Sequence, residues 1–441
     1  MRFPFPTRIS QILENKDYKR IFENILSLFS LQGLNYLLPL ITFPYLTRVL
    51  GPDKYGLVAF ALAFMGYFQI LTDYGFNLSA TREISINRHD EAKVSSIFSS
   101  VMATKSLLTL LSFFMVMVIV FSFERFRSDW LLYFFTFGLV VGNLLLPTWF
   151  FQGMEKMKYI SILNMGITLI YTVSIFIFIR NTSDFIYVPL ISSLGSIVIG
   201  IVSLILVHRY FNVNFILPTF ADIKYQLQDG WHVFISTAAT SLYSISNPFI
   251  LGFFASNTMV GYYSVAEKIV RVVSGLFNPI SQSVYPYIST LALKSKEEAI
   301  SFIQKLTLLI GTLNFVLSLG IIIFAGFIIF IFAGTQYDQS VLILQIMAFI
   351  PFVVALSTTF GVQTMLTFNY KEAFSHIILI SSVIHIILSV IMAYFFQAVG
   401  IAVAVLITES IVTISMYLYL RRKGINLLDL KNIKTALKTL K

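Results

Sequence analysis

Two stretches of the chain share one pattern and decide its fold. Residues 44–61 read PYLTRVLGPDKYGLVAFA, and residues 248–266 read PFILGFFASNTMVGYYSVA. In each, a proline lies late in an apolar run, a tight turn follows, and a glycine (Gly56 or Gly261) begins the next apolar run. Both copies run in the same direction, which indicates a parallel internal repeat whose two copies are related by a pseudo-two-fold axis. The alternative is chance recurrence of proline and glycine at helix ends.

The composition is that of a polytopic membrane protein. Of the 441 residues, 57% are hydrophobic and only 12% are charged, whereas soluble domains carry roughly a quarter charged residues. Since one helical span needs about 20 apolar residues, the sequence predicts an all-α membrane protein with twelve transmembrane helices in two six-helix lobes. The predicted spans are 24–47, 55–79, 94–122, 129–151, 159–179, 185–207, 231–254, 262–289, 303–332, 340–366, 373–396 and 398–420.

The sequence also predicts how the chain divides into two lobes, a linker and a tail. We expect an N-lobe over residues 1–210, a cytoplasmic linker over 211–229, a C-lobe over 230–420 and a basic tail over 421–441. The linker contains ADIKYQLQDG (221–230), which is typical of a short surface helix. The N-terminal segment lacks the small-residue cleavage pattern of a signal peptide.

The basic residues predict the orientation. With a cytoplasmic N-terminus, 23 of the 31 Lys and Arg residues fall on the inner side, five on the outer side and three inside spans. This asymmetry places both termini in the cytoplasm. The net charge of +10 is therefore explained mostly by topology, without nucleic acid, and the tail is suited to contact anionic lipid headgroups.

Several kinds of chemistry find no support in the sequence. There is no cysteine, no phosphate-binding loop with Lys-Ser/Thr and no cofactor motif. His376 and His385 lie nine residues apart on one predicted span, too far for two metal ligands on one helical turn, and are expected to be packed, hydrogen-bonded side chains. The predicted loops are short, which disfavours an enzyme but leaves a membrane-embedded glycan-processing enzyme as an alternative.

Charged residues inside predicted spans are the strongest functional signal. Residues 262–270 read YYSVAEKIV and are followed by Arg271, so Glu267, Lys268 and Arg271 all lie within one apolar segment. Such groups are costly in a bilayer and normally face a wet cavity or one another. Glu267 and Arg271 are one helical turn apart and can neutralise each other, but Lys268 leaves the triplet at +1. Lys105, in another span, has no acidic residue near it in sequence.

Five motifs together resemble the Wzx-type flippases of O-antigen and polysaccharide repeat units, in the polysaccharide transporter family. The wider superfamily resembled includes MATE multidrug exporters and the lipid II flippase. The order and the spans of these motifs match the family in both lobes. The motifs are YLTRVLGPDKYGLVAFALAF (45–64), DYGFNLSATREISINR (73–88), PTWFFQGMEKMKYISILN (147–164), LGFFASNTMVGYYSVAEKIVR (251–271) and PISQSVYPYIST (279–290).

The resemblance implies a function and partners. It implies a MATE-like fold in the bacterial inner membrane and transfer of undecaprenyl-pyrophosphate-linked oligosaccharide from the cytoplasmic to the outer leaflet. A polysaccharide polymerase and a chain-length protein would be its partners. Where the family often has an acidic residue in span 7, this chain has Asn247 in SISNPFIL, so an ion-coupling role is not expected there. A MATE-like exporter of small molecules stays an alternative, although it should favour acidic cavity residues.

A dianionic pyrophosphate requires a polar, cationic cavity between the lobes. Arg271 is the first candidate because its planar fork can bind a pyrophosphate in bidentate fashion. Lys105 would add charge near mid-depth, and Lys268 would either add charge or extend towards the outer surface. Arg48, at the outer end of span 1, is the fourth candidate, although an interface anchor or hairpin brace suits it better.

Three carboxylates are candidates for ion coupling or charge pairing. Glu267 is expected to pair with Arg271. Asp73 lies near the inner end of span 2 and suits a helix cap or an inter-helix salt bridge. Glu409 lies mid-span in VLITESIV, where a carboxylate must be protonated, paired or used to bind a cation.

Overall fold

The computed structural model describes residues 16–428, except for the side chains of residues 16–37, 239–240 and 242–244. The described residues are helical nearly throughout and contain no β-strand, so the predicted all-α class is confirmed. Residues 1–15 and 429–441, which include most of the predicted basic tail, lie outside the described part of the chain.

Fifteen α-helices are described, and we divide them into an N-terminal half (16–211) and a C-terminal half (220–428). The N-terminal half contains α1 (Lys16–Asp73), α2 (Ser79–Asn87), α3 (Glu91–Ser122), α4 (Glu124–Arg127), α5 (Trp130–Leu145), α6 (Thr148–Gly153), α7 (Met157–Phe178) and α8 (Tyr187–Phe211). The C-terminal half contains α9 (Phe220–Phe254), α10 (Asn257–Gly275), α11 (Asn278–Lys294), α12 (Lys296–Ala333), α13 (Gln339–Met347), α14 (Ile350–Phe360) and α15 (Lys371–Arg422).

Two of these helices are interrupted inside their length. The backbone of Gly51 in α1 has a φ of 67°, a conformation that glycine adopts without steric cost. The backbone of Gln397 in α15 has a φ of 50°. Each interruption lies between two predicted spans, so α1 and α15 are both helical hairpins that turn at these residues.

Eight helical segments within the described residues are long and apolar enough to cross a bilayer. The two hairpins α1 and α15 count once each, although each covers two predicted spans. The predicted spans 231–254 and 262–289 are not among the eight. The second of them is broken between α10 and α11, before Asn278 and Pro279, because proline is favoured in the first turn of a helix. The total of twelve spans stays a prediction.

The predicted surface helix over 221–230 does form, but it does not end at the linker. It begins at Phe220, after a capping box of Thr219 and Asp222, and continues without a break through α9 to Phe254. Gly230 does not stop this helix, and it lies close to Tyr74 of the N-terminal half, since a Cβ atom added at Gly230 would lie 3.0 Å from that ring. The segment therefore connects directly to the span that follows it.

The hydrophobic core shows how the halves meet. One cluster of buried residues contains members of both halves, such as Phe60 and Tyr337, and surrounds the end of the bundle that carries Gly51. The opposite end, which carries Arg422, has a separate cluster in each half, around Trp149 and Phe360 respectively. The halves are thus joined by one core at the Gly51 end. At the Arg422 end each half has its own buried cluster, and the first part of α9, through Leu227 and Phe234, packs on the N-terminal one.

The halves approach each other closely at a crossing of α1 and α10 at the Gly51 end. A Cβ atom added at Gly56 would lie 1.9 Å from the carbonyl oxygen of Asn257, and one added at Gly261 would lie 2.0 Å from that of Pro52. These are the two glycines that occupy matching places in the sequence repeat. Hence each copy of the repeat supplies the contact surface for the other.

Candidate functional site

A polar cavity opens in the C-terminal half where α10 breaks before α11. Its volume is about 300 Å³. Helices α9, α10, α11, α13, α14 and α15 all contribute to its wall, and the polar side chains in that wall are Asn247, Glu267, Arg271, Ser274, Asn278 and Glu409. It is therefore the place where several of the candidate residues come together.

An ion pair within α10 forms one side of the cavity. Arg271 Nη2 lies 3.0 Å from Glu267 Oε1, and the two residues are one helical turn apart. The side chain of Glu267 is only 13% exposed, whereas that of Arg271 is 53% exposed. Tyr263 donates a further hydrogen bond of 3.3 Å to the same carboxylate oxygen. The carboxylate is thus held in place while much of the guanidinium faces the cavity.

Glu409 brings a second carboxylate to the cavity from α15. Together with Glu267 and Arg271, it gives the wall two carboxylates and one guanidinium, whereas the sequence predicted a cationic cavity. Lys268 follows Glu267 on α10, but its side chain is exposed and does not line this cavity. Successive residues on a helix point about 100° apart, which accounts for this difference.

Lys105 lies in a different place, at the junction of α1, α3 and α5 in the N-terminal half. It is 1% exposed, and its Nζ lies 3.0 Å from Asp73 Oδ1. Asn143 completes the cluster: its Oδ1 accepts from Lys105 at 3.3 Å, and its Nδ2 donates to Asp73 at 3.2 Å. Lys105 and Asp73, which sequence reasoning treated separately, therefore neutralise each other, and neither lines the cavity.

Arg48 lies at the Gly51 end and joins the two halves. Its Nη2 donates to the carbonyl oxygens of Phe330 and Ile331, at 3.2 and 2.7 Å, near the end of α12. The neighbouring Thr47 also donates to α12, at Phe332 O, over 2.9 Å. Because the last carbonyls of a helix have no partner within it, Arg48 caps α12 and is placed as a brace outside the cavity.

A buried hydrogen-bond network lies behind the cavity. The sequence predicted that His385 is packed and hydrogen-bonded, which is confirmed, but it did not identify the partners of His385, and His376, of which the same was expected, is exposed. His385 is completely buried, with Nε2 at 2.9 Å from Asn247 Oδ1 and Nδ1 at 3.1 Å from Thr408 Oγ1. A further side-chain hydrogen bond joins Asn247 to Tyr263, which in turn contacts Glu267. The available signal was the coincidence of a histidine and an asparagine in two apolar spans, but sequence alone does not show that they face each other.

Comparison with known proteins places the chain in a family. The family model described as "Polysaccharide biosynthesis protein" matches residues 21–292, which is more than half of the chain. The chain belongs to this family. A relative from Escherichia coli (strain K12), named "Putative O-antigen transporter", is 35% identical over 402 residues, covering 90% of this chain and 96% of that protein.

Solved structures show the same fold at low sequence identity. The "Lipid II flippase MurJ, inward closed conformation" matches with a TM-score of 0.69 and 15% identity, over 89% of this chain and 87% of that one. An inward-facing multidrug resistance MATE family transporter of the MOP superfamily matches with a TM-score of 0.67 and 14% identity, over 88% and 94%. The chain is thus a multi-pass membrane protein of MATE-like fold, and its relatives are named as transporters and not as enzymes.

Proposed function

We propose that the protein is a flippase that moves undecaprenyl-pyrophosphate-linked oligosaccharide repeat units to the outer leaflet of the bacterial inner membrane. The observation that carries this proposal is the half-exposed Arg271 in a polar cavity of a membrane protein. The name of the relative with 35% identity, an O-antigen transporter, supports the same substrate class. The polyprenyl tail can remain in lipid, whereas the pyrophosphate and sugars need a polar path.

The arrangement of the cores supports alternating access between two lobes. We place lobes of six spans each at residues 1–210 and 230–420, joined by 211–229. Both termini are then cytoplasmic, so the Gly51 end faces outwards and the Arg422 end faces the cytoplasm. The shared core at the Gly51 end corresponds to a closed outer gate. Rocking of the lobes about the cavity would open that gate and close the other side.

Arg271 is the residue that we assign to the pyrophosphate. Its pairing with Glu267 suits this role. A pyrophosphate can take the place of the Glu267 carboxylate, so that the guanidinium of Arg271 has an anionic partner both before and after binding. We assign Lys105 with Asp73 to stabilisation of the N-terminal half, and Arg48 to the outer gate. Lys268, exposed on α10, is assigned to contact with lipid headgroups. Glu409 supplies the second carboxylate of the cavity wall, and we assign it no further role.

Complementation tests the proposal directly. The gene is expressed in flippase-null strains that make different repeat units, and surface glycan and the lipid-linked precursor are both measured. Restored surface glycan with reduced precursor is expected in at least one strain that makes a matching repeat unit. Expression at the membrane with no change in precursor in any strain would contradict the flippase assignment. The Arg271→Gln variant, for which transport is expected to be severely impaired, is expressed at the same level and serves as the control.

A second candidate function follows from the two carboxylates of the cavity. Glu267 and Glu409 could bind an organic cation, as expected of a MATE-like exporter of small molecules. The two functions differ in a simple assay, because an exporter should lower the accumulation of cationic dyes in cells that make no lipid-linked glycan. A flippase should leave dye accumulation unchanged in such cells.

A further inference from the structure

A second, smaller cavity adjoins the first on the side of the Arg422 end. Its volume is about 40 Å³, and Ser274 and Asn278 line both cavities. Leu306, which also lines it, belongs to the buried cluster at the Arg422 end of the C-terminal half. None of the residues in its wall is ionisable, and its polar side chains are Ser274, Asn278, Ser281, Thr358, Thr359 and Gln363. The charged cavity at Arg271 therefore adjoins a neutral one, which we call the side chamber.

A stripe of polar residues connects the two cavities. It consists of Arg271, Ser274, Asn278 and Ser281. These residues are three, four and three positions apart, which is the spacing of one helix face. The two residues between α10 and α11 keep right-handed helical backbone angles, so the face continues across the break. Arg271 lines the first cavity, Ser281 lines the side chamber, and the two residues between them line both. The stripe thus changes from a charged group to neutral hydrogen-bonding groups along its length.

Gln363 contributes to the wall of the side chamber from the π-helical turn Gly361–Leu366. Its Nε2 donates to the carbonyl oxygen of Ser281 over 2.9 Å and to the Ser281 hydroxyl over 2.8 Å. Since a carbonyl oxygen can only accept, these bonds fix which end of the amide is nitrogen. Oε1 of Gln363 is buried and has no hydrogen-bond partner among the described residues. A ligand donor that widens the chamber here would give this acceptor a partner, and π-helical turns are frequent at functional sites.

The sizes of the two cavities divide a glycosylated pyrophosphate between them. One water molecule needs about 10–15 Å³ of such volume, so the side chamber has room for about three groups of that size, which is less than a sugar ring. A ring therefore fits only the first cavity, with one edge group in the side chamber. Asn278 lies about 10 Å from Arg271 along the helix axis, at about 1.5 Å per residue. The sugar that reaches Asn278 is then the one bonded directly to the pyrophosphate.

We propose that the side chamber recognises the first sugar of the lipid-linked substrate through a neutral hydrogen-bonding group on the edge of that sugar. The inference rests on the proposed function, in which Arg271 binds the pyrophosphate. The Ser281 hydroxyl accepts from Gln363 and keeps its own hydrogen to donate, Gln363 Oε1 accepts, and the Asn278 amide can do both. A hydroxyl or an acetamido group also donates and accepts, so either matches this set. A sugar without such a group would leave these partners unpaired, which is how hydrogen-bonding sites reject analogues.

The test compares the affinity of the full-length protein, in nanodiscs, for undecaprenyl pyrophosphate with and without one sugar. The sugars are glucose, galactose, N-acetylglucosamine and N-acetylgalactosamine. Wild type should bind at least one sugar-bearing lipid about tenfold more tightly than the bare lipid, the effect of about one hydrogen bond. Asn278→Ala and Ser281→Ala should each reduce this gain to less than about threefold and leave the affinity for the bare lipid within about twofold of wild type.

Control variants separate recognition from a general loss of structure. Gln282 is an exposed amide on α11 that lines neither cavity, so Gln282→Ala is matched to Asn278→Ala and should keep the full gain. Ser281→Ala retains the backbone carbonyl to which Gln363 donates, and the wall of the chamber should therefore persist. Gln363→Met removes the buried acceptor and should also lose the gain; if this variant does not fold, the two alanine variants decide.

The outcomes distinguish this inference from the proposed function. Equal affinity of wild type for the bare lipid and all four sugar-bearing lipids would overturn the side chamber as a sugar site and assign it to water only, with the proposed function intact. Retention of the full gain by both alanine variants would overturn it as well. An equal loss of affinity for bare and sugar-bearing lipids in these variants would assign the residues to the pyrophosphate instead. No binding of any of the lipids to wild type would overturn the proposed function, and this inference with it.

Discussion

Replacement of Gly56 by alanine should open the closed end of the bundle. The added methyl group would lie 1.9 Å from Asn257 O, whereas real Cβ contacts are essentially never shorter than 3.0 Å. Helices α1 and α10 must therefore separate by more than 1 Å. Overpacking of this kind costs about 1–3 kcal/mol. If the cost falls only on the closed state, the ratio of open to closed protein rises by about 5- to 150-fold.

Thiol labelling can measure this shift, and no native cysteine has to be removed first because the chain contains none. Ser274, which lines the cavity, is changed to cysteine as a reporter, and an impermeant reagent is added outside spheroplasts. Gly56→Ala should raise the labelling rate by the factor given above, and Gly261→Ala should act in the same way.

The matched control for these glycines is Gly326→Ala on α12, where nothing lies within 4 Å of the added Cβ. It should leave the labelling rate unchanged. Equal rates in Gly56→Ala, Gly326→Ala and wild type, at equal expression, would refute the assignment of the glycine crossing as a gate. A locked gate gives independent evidence: a disulfide between Asp53→Cys and Thr258→Cys, whose native side-chain oxygens lie 3.5 Å apart, should stop transport until it is reduced.

Three further predictions concern the charged residues. Arg271→Lys should impair transport partly and Arg271→Gln severely, by about tenfold to a hundredfold in rate; rescue of the latter by Glu267→Gln would show that Arg271 serves only to neutralise its neighbour. Lys105→Met should destabilise the protein by about 3–5 kcal/mol in thermal unfolding, since it leaves the carboxylate of Asp73 without its buried cation. The double variant Lys105→Met with Asp73→Asn should regain most of that stability. Arg48→Gln should raise outside labelling of the cavity reporter by about fivefold, the effect of roughly 1 kcal/mol lost from the closed gate; an unchanged rate would remove Arg48 from the gate.

The features that could be predicted from the sequence are those written in local patterns. Proline and glycine marked the hairpin at Gly51, and the repeat singled out Gly56 and Gly261, although the structure was needed to show that both lie at the crossing of α1 and α10. The pairing of Glu267 with Arg271 also followed from local spacing, because residues four apart lie on one face of a helix. Each of these inferences needed only the geometry of a single helix or turn.

The features that could not be predicted depend on how helices are rotated against each other. Lys105 and Asp73 are 32 residues apart, and nothing in either span shows that they face one another. The same is true of His385 and Asn247, which are 138 residues apart. Charge counting over the spans grouped Lys105 and Lys268 with Arg271, whereas neither of them lines the cavity that Arg271 lines in the C-terminal half. Sequence gives the charges of a bundle, but only packing decides which of them share a cavity.

An ion pair in the cavity has a physical advantage over the net cationic wall that the sequence suggested. An uncompensated guanidinium would have to be stabilised whenever the cavity is empty, and burying a charge without a partner is costly. Glu267 supplies that partner in the structure. Under the role proposed for Arg271, Tyr263 would keep the carboxylate satisfied when Arg271 moves to an incoming phosphate. Binding would then be an exchange of anions at one guanidinium, and the reverse exchange would release the substrate. A transporter has to perform both steps in every cycle, so a moderate, replaceable contact at Arg271 serves transport better than the tightest one that several cations could form.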